Sequence, residues 1–185
     1  MAKVKESNFL TDTPENADLN QYWYSKFTID KIVEDIAMNE VGFRVAFLST
    51  PSIYFSMTDG FRHPHCYVFD YDDVWESDRG FVHYDFNHPS TIPESLKLTF
   101  DMVVIDPPFI THEVWRQYAV TSQLLLKPGG KVILTTIAEN EPLLKELFGA
   151  SSTKFQPSIP NLVYQYNLYT NYESPVFSKL NPERP

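Results

Sequence analysis

Apolar positions in this chain follow two rhythms, one helical and one of short unbroken runs. Ile29, Ile32, Val33 and Ile36 stand at i, i+3, i+4 and i+7, the spacing of one helix face. Ser25 is placed to cap that helix and Gly42 to end the element. Short apolar runs predict strands over 44–49, 66–69, 81–84, 101–105 and 131–137. Thr50-Pro51 breaks the first, and Asp70, Asp85 and Asp106 follow the next three. Helices are predicted over 52–60 and 112–126, the latter closed by Lys127-Pro128-Gly129-Gly130. Another has Pro142 in its first turn and Gly149 at its end. The tail alternates over 163–172 as one long strand, with a shorter one over 153–156, which together predict an antiparallel hairpin at a sheet edge. Residues 1–17 are polar and aperiodic and are expected to be mobile, leaving 18–185 as a single domain.

Strands alternating with helices indicate an α/β doubly wound, Rossmann-like sheet, and short apolar strands suit a sheet covered on both faces. The length of 185 residues is that of one domain with a sizeable core. No apolar run approaches the roughly 20 residues of a membrane helix, so no membrane partner is expected. The first residues lack the apolar stretch of a signal peptide, and Cys66 is the only cysteine; both lead to the expectation of a cytoplasmic protein. Net charge changes the picture more. At −9, with lysines and arginines scattered singly, the chain lacks the basic face through which nucleic-acid binders neutralise phosphate. An acidic enzyme is better matched to a basic protein surface.

In an open α/β sheet, ligands bind beyond the carboxyl ends of the strands, where Ser49, Asp70, Asp85 and Asp106 all fall. An acid after the second strand can accept from ribose hydroxyls. One after the third can accept from an adenine amine, with Phe86 beside it offering a ring. Each aspartate alone reads equally well as a loop or helix-capping residue; in this order, together, they point to an adenosine-containing cofactor. Asp106-Pro107-Pro108-Phe109 is the sharpest signal. Its two prolines fix the backbone and remove two donors, leaving carbonyls to face the cleft. An acceptor side chain beside such a carbonyl can hold an amine, and Phe109 can face a planar base or an alkylammonium. The bland reading is a strand end with a proline turn and a core phenylalanine. His63-Pro64-His65-Cys66 reads as a loop rather than a metal site, and no metal is expected. His83 and His88 read as packing or surface residues. Trp75 and Glu76 can shape an entrance, and Leu168, Tyr169 and Tyr172 read as sheet core.

The order of elements and the Asp-Pro-Pro-Phe motif resemble a class I methyltransferase of the amino-methylating kind. More closely, the chain resembles the eukaryotic lysine methyltransferases of elongation factor 1-alpha, a family formerly labelled N6-adenine methyltransferases. The stretches that carry the likeness are 19–25 (LNQYWYS), 48–54 (LSTPSIY), 68–72 (VFDYD), 84–89 (YDFNHP), 100–109 (FDMVVIDPPF) and the tail at 169–172. The resemblance implies a seven-stranded sheet with a reversed last strand, S-adenosylmethionine as cofactor and a protein lysine as substrate. It implies that Asp70 meets the ribose, that Asp85 and Phe86 meet adenine, and that Ser49, Thr50 and Pro51 lie near the methionine part. Asp106 and Phe109 would handle the amine, with Pro107 and Pro108 completing the catalytic corner, and Gln21, Tyr22, Trp23 and Tyr24 would form a lid; whether the amine's proton leaves through Tyr24 or water is not written in the sequence. Most class I enzymes carry a glycine-rich loop after the first strand, whereas here it is Ser49-Thr50-Pro51-Ser52.

Two other functions stand beside the lysine methyltransferase. An adenine-N6 methyltransferase acting on DNA or RNA would use the same corner, but must flip its base or take single strands, and usually carries a basic groove. A non-catalytic methyltransferase-fold binding module would have no need of Asp-Pro-Pro-Phe. The target lysine, the number of methyl groups and the oligomeric state are not written in the sequence.

Overall fold

Ser25 starts the first long helix as its pattern predicts: its hydroxyl accepts from the Thr28 amide, and α2 (Lys26–Ala37) follows. The computed structural model describes residues 8–184. The strands are β1 (Val45–Leu48), β2 (Cys66–Asp70), β3 (Phe81–His83), β4 (Phe100–Ile105), β5 (Leu126–Thr136), β6 (Ser151–Ser152) and β7 (Asn167–Thr170). They form one sheet in the order β3-β2-β1-β4-β5-β7-β6. β1 to β5 run parallel, and β7 is antiparallel to both of its neighbours. The reversed last strand β7, one place in from the sheet edge, and the doubly wound centre agree with the expected class I sheet.

Alternation along each central strand explains why both faces need cover. Val45 and Phe47 of β1, with Met102 and Val104 of β4, pack into a core with Ile29, Ile32, Val33 and Ile36 of α2. Ala46, Leu48, Val103 and Ile105 point the other way, toward Trp115, Tyr118 and Leu125 of α5 (His112–Leu125) and Leu143 and Leu144 of α6 (Glu141–Phe148). Gly149 ends α6 with φ of 65°, a left-handed cap that suits glycine.

Several boundaries differ from expectation. Residues 52–60 split into α3 (Pro51–Tyr54) and α4 (Asp59–Arg62). β5 begins at Leu126, so Lys127–Gly130 lies within an irregular strand whose pairing with β4 shifts between Phe100 and Met102. In the tail, β7 spans four residues rather than ten, and its partner β6 lies just before 153–156. Within the N-terminal segment, Phe9 is anchored while most residues from 8 to 17 are exposed. The short helix α1 (Phe9–Asp12) buries Phe9 against the rings of Trp23, Trp75 and Phe55 at 5.3, 5.6 and 6.0 Å. The remainder of the expected mobile segment, residues 1–7, lies outside the described residues. Among the described residues no helix is long and apolar enough to cross a membrane.

Candidate active site

A cleft of about 280 Å³ opens beyond the carboxyl ends of β1 to β4. It is lined by Gln21, Tyr22, Trp23, Ser49, Pro51, Asp70, Asp85, Phe86, Asp106, Pro107, Pro108 and Phe109, gathered from segments far apart in the chain.

Ser49 follows β1 with φ of 57°, in the left-handed region that costs a residue with a side chain roughly 1–2 kcal/mol. The serine thus adopts a backbone shape that glycine takes without strain. Its amide donates to the Phe69 carbonyl at 2.8 Å, and its hydroxyl lies 2.6 Å from the Tyr118 hydroxyl. These bonds partly offset the strain. Pro51 lines the cleft at the start of α3, but Thr50 does not. Thr50 is buried and its hydroxyl donates to the Val104 carbonyl at 3.4 Å, so its expected place beside a cofactor is corrected to a sheet contact. One residue beyond the turned backbone of Ser49, the side chain faces the other way.

The three aspartates differ in surroundings. Asp70, buried at the end of β2, accepts from the Asp72 amide at 2.9 Å, and burial pushes its carboxyl up to about 7. Asp106 also rises to about 7 through burial, although hydrogen bonds from Tyr24 and Thr135 pull the other way. Asp85 is held below the usual carboxylate range by the Asn87 amide, with His88 helping at 3.1 Å.

Tyr24 does not line the cleft, contrary to its expected place in the lid. It is buried behind Asp106, 2.6 Å from the Thr135 hydroxyl, and burial together with Asp106 raises its phenol well above the ordinary value. Burial thus favours the neutral phenol, which donates to Asp106. Gln21 donates to Asp72 at 3.0 Å. Trp23 is buried, tied to the Thr13 carbonyl through its indole at 3.0 Å and to Glu15 through its amide at 2.8 Å. Phe109 is 51% exposed at the mouth, its ring 6.2 Å from that of Phe86.

Several lining residues escape the sequence reading: Tyr118 from α5, Ile159, Leu162 and Tyr166 from the loop before β7, and Asn20. The tyrosines carry no local signal that separates them from core residues. Asn20 does stand within the LNQYWYS stretch. Trp75 and Glu76 do not line the cleft, and His83 and His88 pair with Asp73 and Asp85.

The family model described as "Probable N6-adenine methyltransferase" matches residues 15–174. EEF1A lysine methyltransferase 1 of Mus musculus is 37% identical over 166 residues, covering 86% of this chain and 76% of that protein. The chain belongs to the EEF1A lysine methyltransferase 1 family. The Homo sapiens protein of that name is 34% identical over 165 residues, covering 86% of this chain and 76% of its own length. A protein-lysine N-methyltransferase of Caenorhabditis elegans is 30% identical over 185 residues, covering 93% of this chain and 85% of its own. The EEF1A lysine methyltransferase 1 relatives are thus named for a lysine nitrogen, and the family model for an adenine nitrogen. A solved branched-chain polyamine synthase mutein from Thermus thermophilus overlays with a TM-score of 0.62 at 14% identity, covering 88% of this chain and 60% of that one. That likeness is one of fold.

Proposed function

We propose that the chain transfers a methyl group from S-adenosylmethionine to a lysine side-chain amine of a protein, with elongation factor 1-alpha as the substrate and the cytoplasm as its place of work. The observation that carries the reading is the corner itself: a partly buried acid, Asp106, beside an exposed aromatic ring, Phe109, in one cleft.

The donor set fits the cofactor. Asp70 and Asp85 are acceptors on neighbouring strand ends, suited to ribose hydroxyls and an adenine amine, and Phe86 offers a ring between Tyr118 and Phe109. Ser49 and Pro51 line the same cleft from the end of β1. When bound, S-adenosylmethionine supplies an electrophilic methyl group on a sulfonium.

The chain's own work is to hold and align the amine. Asp106 accepts from the nitrogen, Tyr24 and Thr135 fix the carboxyl from behind, and Phe109 faces the alkyl chain. A free lysine ammonium has a pKa of about 10.4 and an ordinary aspartate about 3.9. Raised to about 7, Asp106 closes about half of that gap, and desolvation in the cleft lowers the ammonium further. Asp106 is therefore an orienting acceptor able to help the proton leave. Pro107 and Pro108 keep the corner rigid.

The corner's acceptors suit an adenine amine as well as a lysine, but a net charge of −9 opposes a polyphosphate, and the relatives act under the name of protein-lysine methyltransferases. Labelled S-adenosylmethionine incubated with enzyme and cell lysate tests the reading. Label is expected in a protein band that protease removes and nuclease leaves. Label sensitive only to nuclease would overturn it.

A further inference from the structure

Pro107 and Pro108 give the corner its rigidity at a cost: neither has an amide hydrogen with which to tie the loop to its neighbours. The Asp106 amide still donates to the Leu48 carbonyl at 3.3 Å, but beyond it the loop is tied through carbonyls, by two asparagines far apart in the chain. Asn140, buried at the start of α6, donates its side-chain amide to the Ile110 carbonyl at 2.8 Å and to the Thr136 hydroxyl at 3.0 Å. Asn20 donates its side-chain amide to the Pro108 carbonyl.

Asn20 belongs to a strap across the cleft. The strap turns at Ala17–Leu19, where the Asn16 side chain accepts from the Asp18 amide at 3.0 Å. Asn20 then takes a left-handed backbone with φ of 53°, which asparagine tolerates better than most residues. The next residue, Gln21, reaches Asp72, whose own amide donates to Asp70. The strap is thus fastened at Pro108 on one wall and, through Asp72, to the acid of β2 on the other.

We propose that Asn20 is a positioning residue for methyl transfer: its amide bond to the Pro108 carbonyl fixes the Asp106–Phe109 corner in the shape that receives the amine. The inference rests on the methyl-transfer reading above. An in-line displacement is sensitive to small misplacements of the attacking nitrogen. The two prolines carry no amide donor, so the outer half of the corner depends on whatever holds its carbonyls, and Asn20 holds the carbonyl next to the ring that faces the substrate. Asp106 itself stays fixed by Tyr24 and Thr135 from the core side, so the bond from the strap governs the outer half of the corner.

Two substitutions separate the amide from the turn. Asn20→Gly keeps the left-handed backbone and removes the amide; Asn20→Asp keeps the shape but offers no N–H. Steady-state kcat and KM for the protein substrate are measured with each, alongside S-adenosylhomocysteine affinity by calorimetry and the thermal midpoint. Both variants are expected to lose kcat by roughly tenfold or more while cofactor affinity stays within about twofold. The thermal midpoint should not move. Wild-type kcat in both variants would overturn the inference by reducing Asn20 to a turn residue. A raised kcat in Asn20→Gly would overturn it by making the amide a plug, and a change confined to KM would make the strap a docking element. The wild type is the control for the underlying reading: if its label enters nucleic acid and not protein, the lysine assignment fails. The same variants are then measured on that acceptor, where an unchanged kcat sinks the role of Asn20 on its own.

Discussion

Two kinds of acid line the cleft, the same residue type at or just beyond strand ends behaving differently. Asp70 at the end of β2 is buried and Asp106 after β4 is partly exposed to the cleft, and loss of hydration pushes each up to about 7. Asp85, two residues beyond β3, is wrapped by the Asn87 amide and side chain and by His88, and is held low. Topological position alone therefore does not set the chemistry of a strand-end acid. Enclosure and the count of donors do. Asp85 is a fixed negative acceptor, whereas Asp70 and Asp106 change their charge near neutrality. For Asp106 that is useful, because an ammonium must lose a proton beside it.

The largest effect is expected at the corner. Asp106→Ala should lower kcat by about 100-fold or more, as loss of an aligning group does, while circular dichroism and cofactor affinity remain those of the wild type. Retained transfer would remove Asp106 from the reaction. Next comes the cofactor wall: Asp70→Ala should weaken S-adenosylmethionine binding by roughly 1–3 kcal/mol, the scale of charge-assisted hydrogen bonds. Asp85→Ala, at a more solvated position, should weaken it less. Calorimetry ranking the two in the opposite order would break the contrast between enclosed and solvated acids. The wild-type affinity should also fall as pH drops below about 7, where Asp70 takes up its proton, and Asp70→Asn should flatten that dependence.

A smaller effect concerns stability. Folded Asp106 binds its proton more tightly than the unfolded residue does, so the folded state holds more protons between roughly pH 4 and 7. The stabilisation that comes with that proton is complete below about pH 4 and is lost as pH rises through about 7. Asp106→Asn, which needs no proton, should therefore be more stable than wild type at pH 8 by roughly 1–3 kcal/mol. The lower part of that range is expected because the side chain still meets the cleft. Urea melts in which the difference does not shrink toward pH 4 would contradict the raised value. The smallest effect belongs to Ser49. Ser49→Gly relieves the left-handed strain but loses the bond to Tyr118, for a net change within about 1 kcal/mol. Ser49→Ala keeps the strain and loses the bond, and should be the less stable of the two.

Much of this site is legible in the chain because apolar strands announce their own ends. Met102-Val103-Val104-Ile105 leaves no doubt where Asp106 stands, and the same logic finds Asp70 and Asp85. The logic weakens one residue beyond a turn. Ser49 has a left-handed backbone, so Thr50 faces the sheet instead of the cleft, a reversal that no residue pattern around a glycine-free loop discloses. Tyr24 shows a second limit: adjacency to Trp23 suggests a lid, but the chain passes from the strap into α2 at that point and takes the phenol inside. Tyr118 and Tyr166 show a third, because a tyrosine on a buried helix face or in a long loop reads as core until the fold brings it to Asp70 and Asp106. The tail misled for a related reason. Its alternation at 163–166 serves cleft-lining Tyr166, while only Asn167–Thr170 finds a strand partner in β5 and β6.

The most direct test presents the enzyme with both candidate nitrogens at once. Purified elongation factor 1-alpha and an adenine-containing oligonucleotide are incubated together with the enzyme and S-adenosylmethionine, and both acceptors are then weighed by mass spectrometry. The account predicts methyl mass on a lysine of the protein, none on the oligonucleotide, and loss of the signal with Asp106→Ala. Methyl mass on the adenine with an unmodified protein would contradict it.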